Sequence, residues 1–170
     1  MSKTILGALV MLAMWTGTAG ADATARAGVL RAIDDSIWKR FIRGVETFDH
    51  ELYSSVRARD SLFVDGKRLF DYDEYVEDAM RVMTPLQKSG ARLKMEVRFE
   101  DRVFDGGAAS ERGVLRTVMT DAEGAERISY ARFHVISRKG AEGWRIVTDY
   151  RWRTDPTADA AAFAAASPMD

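Results

Sequence analysis

Leu93-Lys94-Met95-Glu96-Val97-Arg98-Phe99-Glu100 alternates apolar and charged side chains without a break. A period of two puts Leu93, Met95, Val97 and Phe99 on one face of a half-buried strand. The charges of residues 94–102 then read as a solvated face carrying cross-strand ion pairs. Upstream the period is helical. Between Ala27 and Val45, Leu30, Ile33, Ile37, Phe41 and Val45 recur at three- and four-residue steps, joined by Trp38 and Ile42. That spacing predicts an amphipathic helix with a wide apolar stripe.

The remaining chain follows the same division. A short helix is expected over residues 49–57, with Leu52, Tyr53 and Val56 on one side. Ser61 to Val64 and the turn signal Asp65-Gly66 predict a short reversing strand. Asp71 stands three residues before Glu74, the spacing of a capping box, and Val76, Met80, Met83 and Leu86 form the expected buried side of the helix it opens. Pro85 and Ser89-Gly90 mark that helix's end. After Gly90, turn signals at residues 105–107, 121–124 and 139–143 separate four long strands, which predicts an α+β layout with an antiparallel sheet. The alanine-rich residues 154–170 are expected to be a flexible tail.

Composition narrows the function. The 170 residues are 46% hydrophobic and 30% charged, with 25 Lys+Arg against 26 Asp+Glu, a net charge of -1 and no cysteine. This is a globular composition of one-domain size. Without a basic excess or cluster, nucleic acid is not an expected partner. Zero cysteine removes disulfides, thiolate nucleophiles and cysteine-bound metals. His50 and His134 are the only histidines. His50-Glu51 is followed by Ser54 where a zincin needs its second histidine, and the acidic run from Asp71 lacks a calcium loop's glycine and terminal glutamate. No metal or other cofactor is expected. Lys3, the apolar run Ile5 to Trp15 and Ala19-Gly20-Ala21 form the charge, core and cleavage site of a secretory signal peptide over residues 1–21. That run is too short for a stable membrane span, so a periplasmic or secreted domain over residues 22–153 is expected.

Two stretches then carry a resemblance. Thr47-Phe48-Asp49 with Arg59-Asp60-Ser61-Leu62-Phe63-Val64-Asp65-Gly66, and Gly143-Trp144-Arg145-Ile146-Val147-Thr148-Asp149-Tyr150, resemble the first and last strands of the nuclear transport factor 2-like (NTF2-like) superfamily, in particular its SnoaL-like and ketosteroid-isomerase-like branch. The resemblance covers roughly residues 27–153. It implies a cone-shaped, cystatin-like roll, with three N-terminal helices packed on a strongly curved antiparallel sheet around an apolar pocket. Such pockets hold small molecules. By that resemblance Asp65 falls where the isomerase carries its base, Phe41 replaces its oxyanion-hole tyrosine, and its second donor falls near Phe133 or His134.

Each candidate has two readings. Asp65 either shuttles a proton or forms the Asp-Gly turn, and His134 is either an acid/base or a sheet-surface histidine. Asp149 and Arg151 share a strand face and are expected to pair at the pocket mouth. Trp144, Ile146, Tyr150 and Trp152 are expected on the opposite face, where an exposed ladder would mark a homodimer interface. Trp38, Phe41, Phe63, Met80 and Met83 are core or pocket wall. The expected function is an exported module binding a small apolar or amphipathic molecule. The alternative is a cofactor-free isomerase, dehydratase or cyclase using Asp65 or His134.

Overall fold

The computed structural model describes residues 18–169, with side chains from residue 23. The expected signal peptide lies outside the described residues except for the backbone of residues 18–21. Helix α1 (Thr18–Ile33) passes through a π-helical turn (Asp34–Trp38) into α2 (Lys39–Glu46). The wider turn brings Ile37 and Trp38, adjacent in sequence, into the core with Ile33, Phe41 and Val45. Helix α3 (His50–Ser55) starts at Asp49, whose carboxylate accepts from the Leu52 amide. Helix α4 (Tyr72–Lys88) carries the capping box of Asp71 and Glu74. Its buried residues are Tyr75, Ala79 and Met83, not the expected stripe through Val76 and Met80. Both sets have helical spacing, and the larger Tyr75 ring takes the interior.

The strands are β1 (Arg57–Asp65), β2 (Arg68–Phe70), β3 (Arg92–Asp105), β4 (Ala108–Thr120), β5 (Glu126–Gly140), β6 (Gly143–Trp152) and β7 (Ser167–Pro168). They form one sheet in the order β2-β1-β6-β5-β4-β3-β7. Every pairing is antiparallel except β1 with β6, which is parallel. An all-antiparallel sheet does not allow for that seam. Its crossover is made by β2, α4 and the β3–β5 meander rather than by a single helix.

Two bulges set what faces the helices, because one extra residue exchanges the two faces of a strand. In β3 the register skips Glu100 between Phe99 and Asp101. Val97 and Phe99 are interior before it, and Arg102, expected among solvated charges, turns inward after it to meet Glu111. In β6 the register with β5 skips Val147. Trp144 and Ile146 are therefore interior with Asp149 on the far side of the bulge, and Tyr150 faces outward at 41% exposure. The four-residue ladder expected on one face is split in two.

The C-terminal residues are not a loose tail. Helix α5 (Pro156–Ala165) is capped by Asp155 and lies on the outer face of the sheet. Phe163 packs its ring 5.7 Å from Tyr130, and Asp159 accepts from Arg132 Nε at 2.8 Å. Val114, which pairs with Arg98 and Arg132, is fully buried. Beyond α5, Ser167 and Pro168 pair with Phe99 and Arg98 at the sheet edge.

Gly113 is where the curvature meets the packing. A Cβ there would lie 2.0 Å from the Arg98 carbonyl oxygen and 2.8 Å from Cζ of Phe133. Neither backbone nor core ring can yield that far. Gly113→Ala is expected to lower stability by about 3 kcal/mol or prevent soluble folding. Gly107→Ala, whose Cβ would meet nothing closer than 3.9 Å, should leave the denaturation midpoint nearly unchanged.

Candidate functional site

The parallel seam between β1 and β6 holds the most unusual chemistry of the interior. Arg57 enters from the start of β1, and Asp149 and Arg151 from β6 beyond its bulge. Arg57 and Asp149 have fully buried side chains, and that of Arg151 is 12% exposed. Arg57 Nη2 donates to Asp149 Oδ2. Arg151 donates from Nη2 to Oδ2 at 2.7 Å and from Nε to Oδ1 at 3.2 Å. One carboxylate thus serves two guanidiniums. Burial alone would push Asp149 toward protonation, but the two cations outweigh it and hold the carboxyl below its usual range.

Aromatic rings enclose the triad. The Arg57 guanidinium lies 3.9 Å from the Tyr75 ring centre and 5.1 Å from that of Phe63. Arg151 lies 4.9 Å from the Phe41 ring and 5.1 Å from Phe63. Tyr53 is stacked on Tyr75 at 5.1 Å and sits 4.9 Å from Phe41. Cation–π attraction grows as water is excluded, so these rings stabilise charges that burial would otherwise penalise. Among the described residues three polar atoms here have no hydrogen-bond partner: Nε and Nη1 of Arg57 and the Tyr75 hydroxyl. Burial holds that hydroxyl protonated well above its ordinary range, despite the opposing charge of Arg57. It can donate as well as accept, and the two free nitrogens can only donate.

The residues singled out from sequence separate into four groups. Phe41, Phe63, Asp149 and Arg151 come together at the triad. Trp38 and Met83 are buried in the main core, where Trp38 Nε1 donates to Glu111 at 3.1 Å. Met80 is 45% exposed on α4 and lines no interior wall. Asp65 and His134 do not share a cavity. Asp65 sits beside the turn at Gly66, 39% exposed, and pairs with Arg153 at 3.3 Å. His134 lies on the outer face, opposite Tyr150, with Nε2 2.9 Å from Ser110 Oγ. Alternation places it away from Phe133 and Val135, which are interior. The expected open apolar pocket is, beside β1 and β6, a space filled by Phe41, Tyr53, Phe63 and Tyr75 around a polar centre.

Sequence reasoning missed Arg57, Tyr53 and Tyr75. Arg57 directly follows the buried Val56 at a helix-to-strand junction, which reads as an exposed cap. Tyr75, Ala79 and Met83 carried the correct helical spacing but competed with a set one residue away.

Removing the Asp149 charge leaves two guanidiniums facing each other in the interior. Asp149→Asn is expected to cost about 3–5 kcal/mol, measured by urea denaturation at neutral pH. The Asp149 carboxyl titrates lower in the folded than in the unfolded chain, so its stabilisation is present above the unfolded value of about 3.9 and is lost as pH falls through the folded one. The wild-type urea midpoint should therefore fall steeply below pH 4, and Asp149→Asn should flatten that acid limb.

No protein-family model matches the chain, and no curated protein sequence does. Solved structures do. An NTF2-like protein with a cystatin-like fold from Novosphingobium aromaticivorans superposes with a TM-score of 0.63 at 17% identity, covering 89% of this chain and 97% of that one. A ketosteroid isomerase-like protein from Erwinia carotovora atroseptica gives 0.59 at 17% identity, over 75% and 97% of the two chains. A conserved protein from Planctomyces limnophilus gives 0.54 at 21% identity, over 78% and 96%. At these identities the likeness is one of fold. The helices, the curved sheet and these superpositions together give the chain the NTF2-like, cystatin-like fold.

Proposed function

We propose that the chain is an exported, non-catalytic binding module that holds a small amphipathic molecule against the Arg57–Tyr75 cluster. The observation that supports this reading is the set of buried donors on Arg57 and Tyr75 with no protein partner, surrounded by aromatic rings. Buried polar groups are almost always hydrogen-bonded, and three such donors side by side form a recognition surface for acceptors. The ketosteroid isomerase-like neighbour supports a fold able to enclose a small molecule.

The competing reading is a cofactor-free isomerase, dehydratase or cyclase with Asp65 or His134 as the acid/base. Proton transfer needs its groups within reach of one substrate. Asp65 at the sheet's end, held by Arg153, and His134 on the outer face weigh against that arrangement. Tyr150 and Trp152, stacked at 5.2 Å on the outer face, together with the exposed Leu62, support a homodimer through that face as a further part of the proposal.

Native mass spectrometry of protein purified from its own host tests both points. The expected spectrum shows a retained small-molecule mass in wild type and in Asp65→Asn and His134→Ala, with a twofold assembly. A bare monomer would overturn the reading, and loss of a substrate-turnover activity in Asp65→Asn would favour the enzyme. Export has its own measurement. The intact mass of the secreted product is expected to begin near Asp22, and a soluble product retaining residues 1–21 would refute it.

A further inference from the structure

The interior holds two ionic clusters, and their charge balance differs in a way that identifies a ligand. In the first, Arg102 bridges Asp34 and Glu111, giving two carboxylates to one guanidinium. Trp38 completes the Glu111 contacts. Burial raises the proton affinity of Glu111 against the pull of Arg102 and Trp38. A buried carboxyl can neutralise itself by taking a proton.

The second cluster cannot. Arg57 and Arg151 are two cations against the single carboxylate of Asp149. Arginine does not lose its proton in proteins, so the excess positive charge is permanent. Arg57 is fully buried and uses only Nη2 on Asp149, which leaves the three hydrogens of Nε and Nη1 on its other edges without an acceptor among the described residues. The Tyr75 hydroxyl, on the ring beneath that guanidinium, is a further free donor. The guanidinium edges can only donate and the hydroxyl can donate beside them, so a ligand that satisfies them brings acceptors, and the charge imbalance favours one that also brings a negative charge.

We propose that the molecule bound at this site is a small monocarboxylate, its carboxylate held by Arg57 and Tyr75 and its apolar body against the Phe63 and Phe41 rings on the Arg151 side. The inference rests on the binding reading above and adds the chemical class of the ligand. A single negative charge balances the triad, two oxygens match donors on separate edges of one guanidinium, and the rings accept the body. Arg151, the partly exposed member, marks the side from which the anion approaches.

The test uses acetate, benzoate and decanoate at pH 7, each against its primary amide, with binding read by titration calorimetry and by the thermal midpoint. At least one carboxylate is expected to bind about tenfold or more tightly than its amide, the margin of a charge-assisted hydrogen bond over a neutral one. Tyr75→Phe keeps the ring and should weaken that carboxylate severalfold. Arg57→Lys keeps the charge and should weaken it further. Equal binding of acid and amide would overturn the carboxylate while leaving small-molecule binding intact. So would unchanged affinity in Tyr75→Phe, which separates the proposal from any failure of Arg57→Lys to fold. A thermal shift reproduced by chloride alone would reassign the site to a simple halide. No binding by any of the six probes would also overturn the assignment, and the retained mass from the host then judges the broader reading independently.

Discussion

A single carboxylate between two guanidiniums fixes how the first and last long strands of the interior meet. Asp149 draws Arg57 from β1 and Arg151 from β6 to one point, across the one parallel pairing among the described strands. Parallel pairing gives slightly less stability per residue than antiparallel, and here it joins strands far apart in sequence. An ion pair buried in the same seam contributes direction more than net stability, since desolvating the charges offsets most of their attraction. Its effect is to penalise every other register. Shifted by one residue, β6 would bury Tyr150 and expose Asp149, leaving Arg57 buried without a counter-charge.

From this point a continuous series of ring contacts runs through the molecule. Phe70 meets Phe63, Phe63 meets Tyr75, Tyr75 stacks on Tyr53, Tyr53 meets Phe41, and Phe41 meets Trp38. Trp38 then contacts Phe99 and Phe133, and Phe99 lies 4.0 Å beneath the Arg102 guanidinium. Helices α2, α3 and α4 are joined to the sheet through these rings. The polar clusters near either end are therefore supported by the same packing, yet they differ in saturation. Arg102, Asp34 and Glu111 have their partners within the protein, while Arg57 and Tyr75 retain free donors. The first arrangement completes a fold. The second leaves hydrogen-bonding capacity unused among the described residues.

The sequence showed what periodicity records and missed what bulges alter. The switch from helical spacing to strict alternation at Gly90 revealed the class and the element order, and the Asp71–Glu74 pair marked the start of α4 to the residue. Asp149 and Arg151 were correctly placed on a common face. Their relation to Trp144 and Ile146 was inverted because parity was carried through Val147, where β6 holds one residue more than β5. The same limit hid Arg102, which turns inward only because β3 bulges at Glu100. Arg57 was not legible at all. Nothing in its local sequence separates a buried arginine from a solvated one, because its counter-charge stands 92 positions away and the ring closest to its guanidinium 18. Family resemblance pointed instead to Asp65 and His134, two positions that this chain uses at a turn and on the outer face.

The outer face completes the physical picture, because a sheet with apolar side chains on both faces must cover both. The inner face is closed by the helices. On the outer face, α5 shelters the half formed by β3 to β5, where Val114 would otherwise be exposed and where Arg98 and Arg132 are drawn to Phe163 and Asp159. Among the described residues the half formed by β6 and β1 has no such cover, and there Tyr150 and Leu62 remain exposed beside the Trp152 ring. The two halves meet at β5, where Arg132 faces Trp152 in register while its guanidinium reaches α5. The C-terminal helix thus covers Val114 and leaves Val103 and Ile128 exposed on that half, while Tyr150 and Leu62 mark the β6–β1 side. The seam that carries the polar centre lies directly beneath that side, since Val64 and Tyr150 on the outer face alternate with Phe63 and Asp149 on the inner one. Whatever covers the outer side would therefore stiffen the same two strands that hold Arg57 and Asp149, and the interior site and the exposed ladder are mechanically one element.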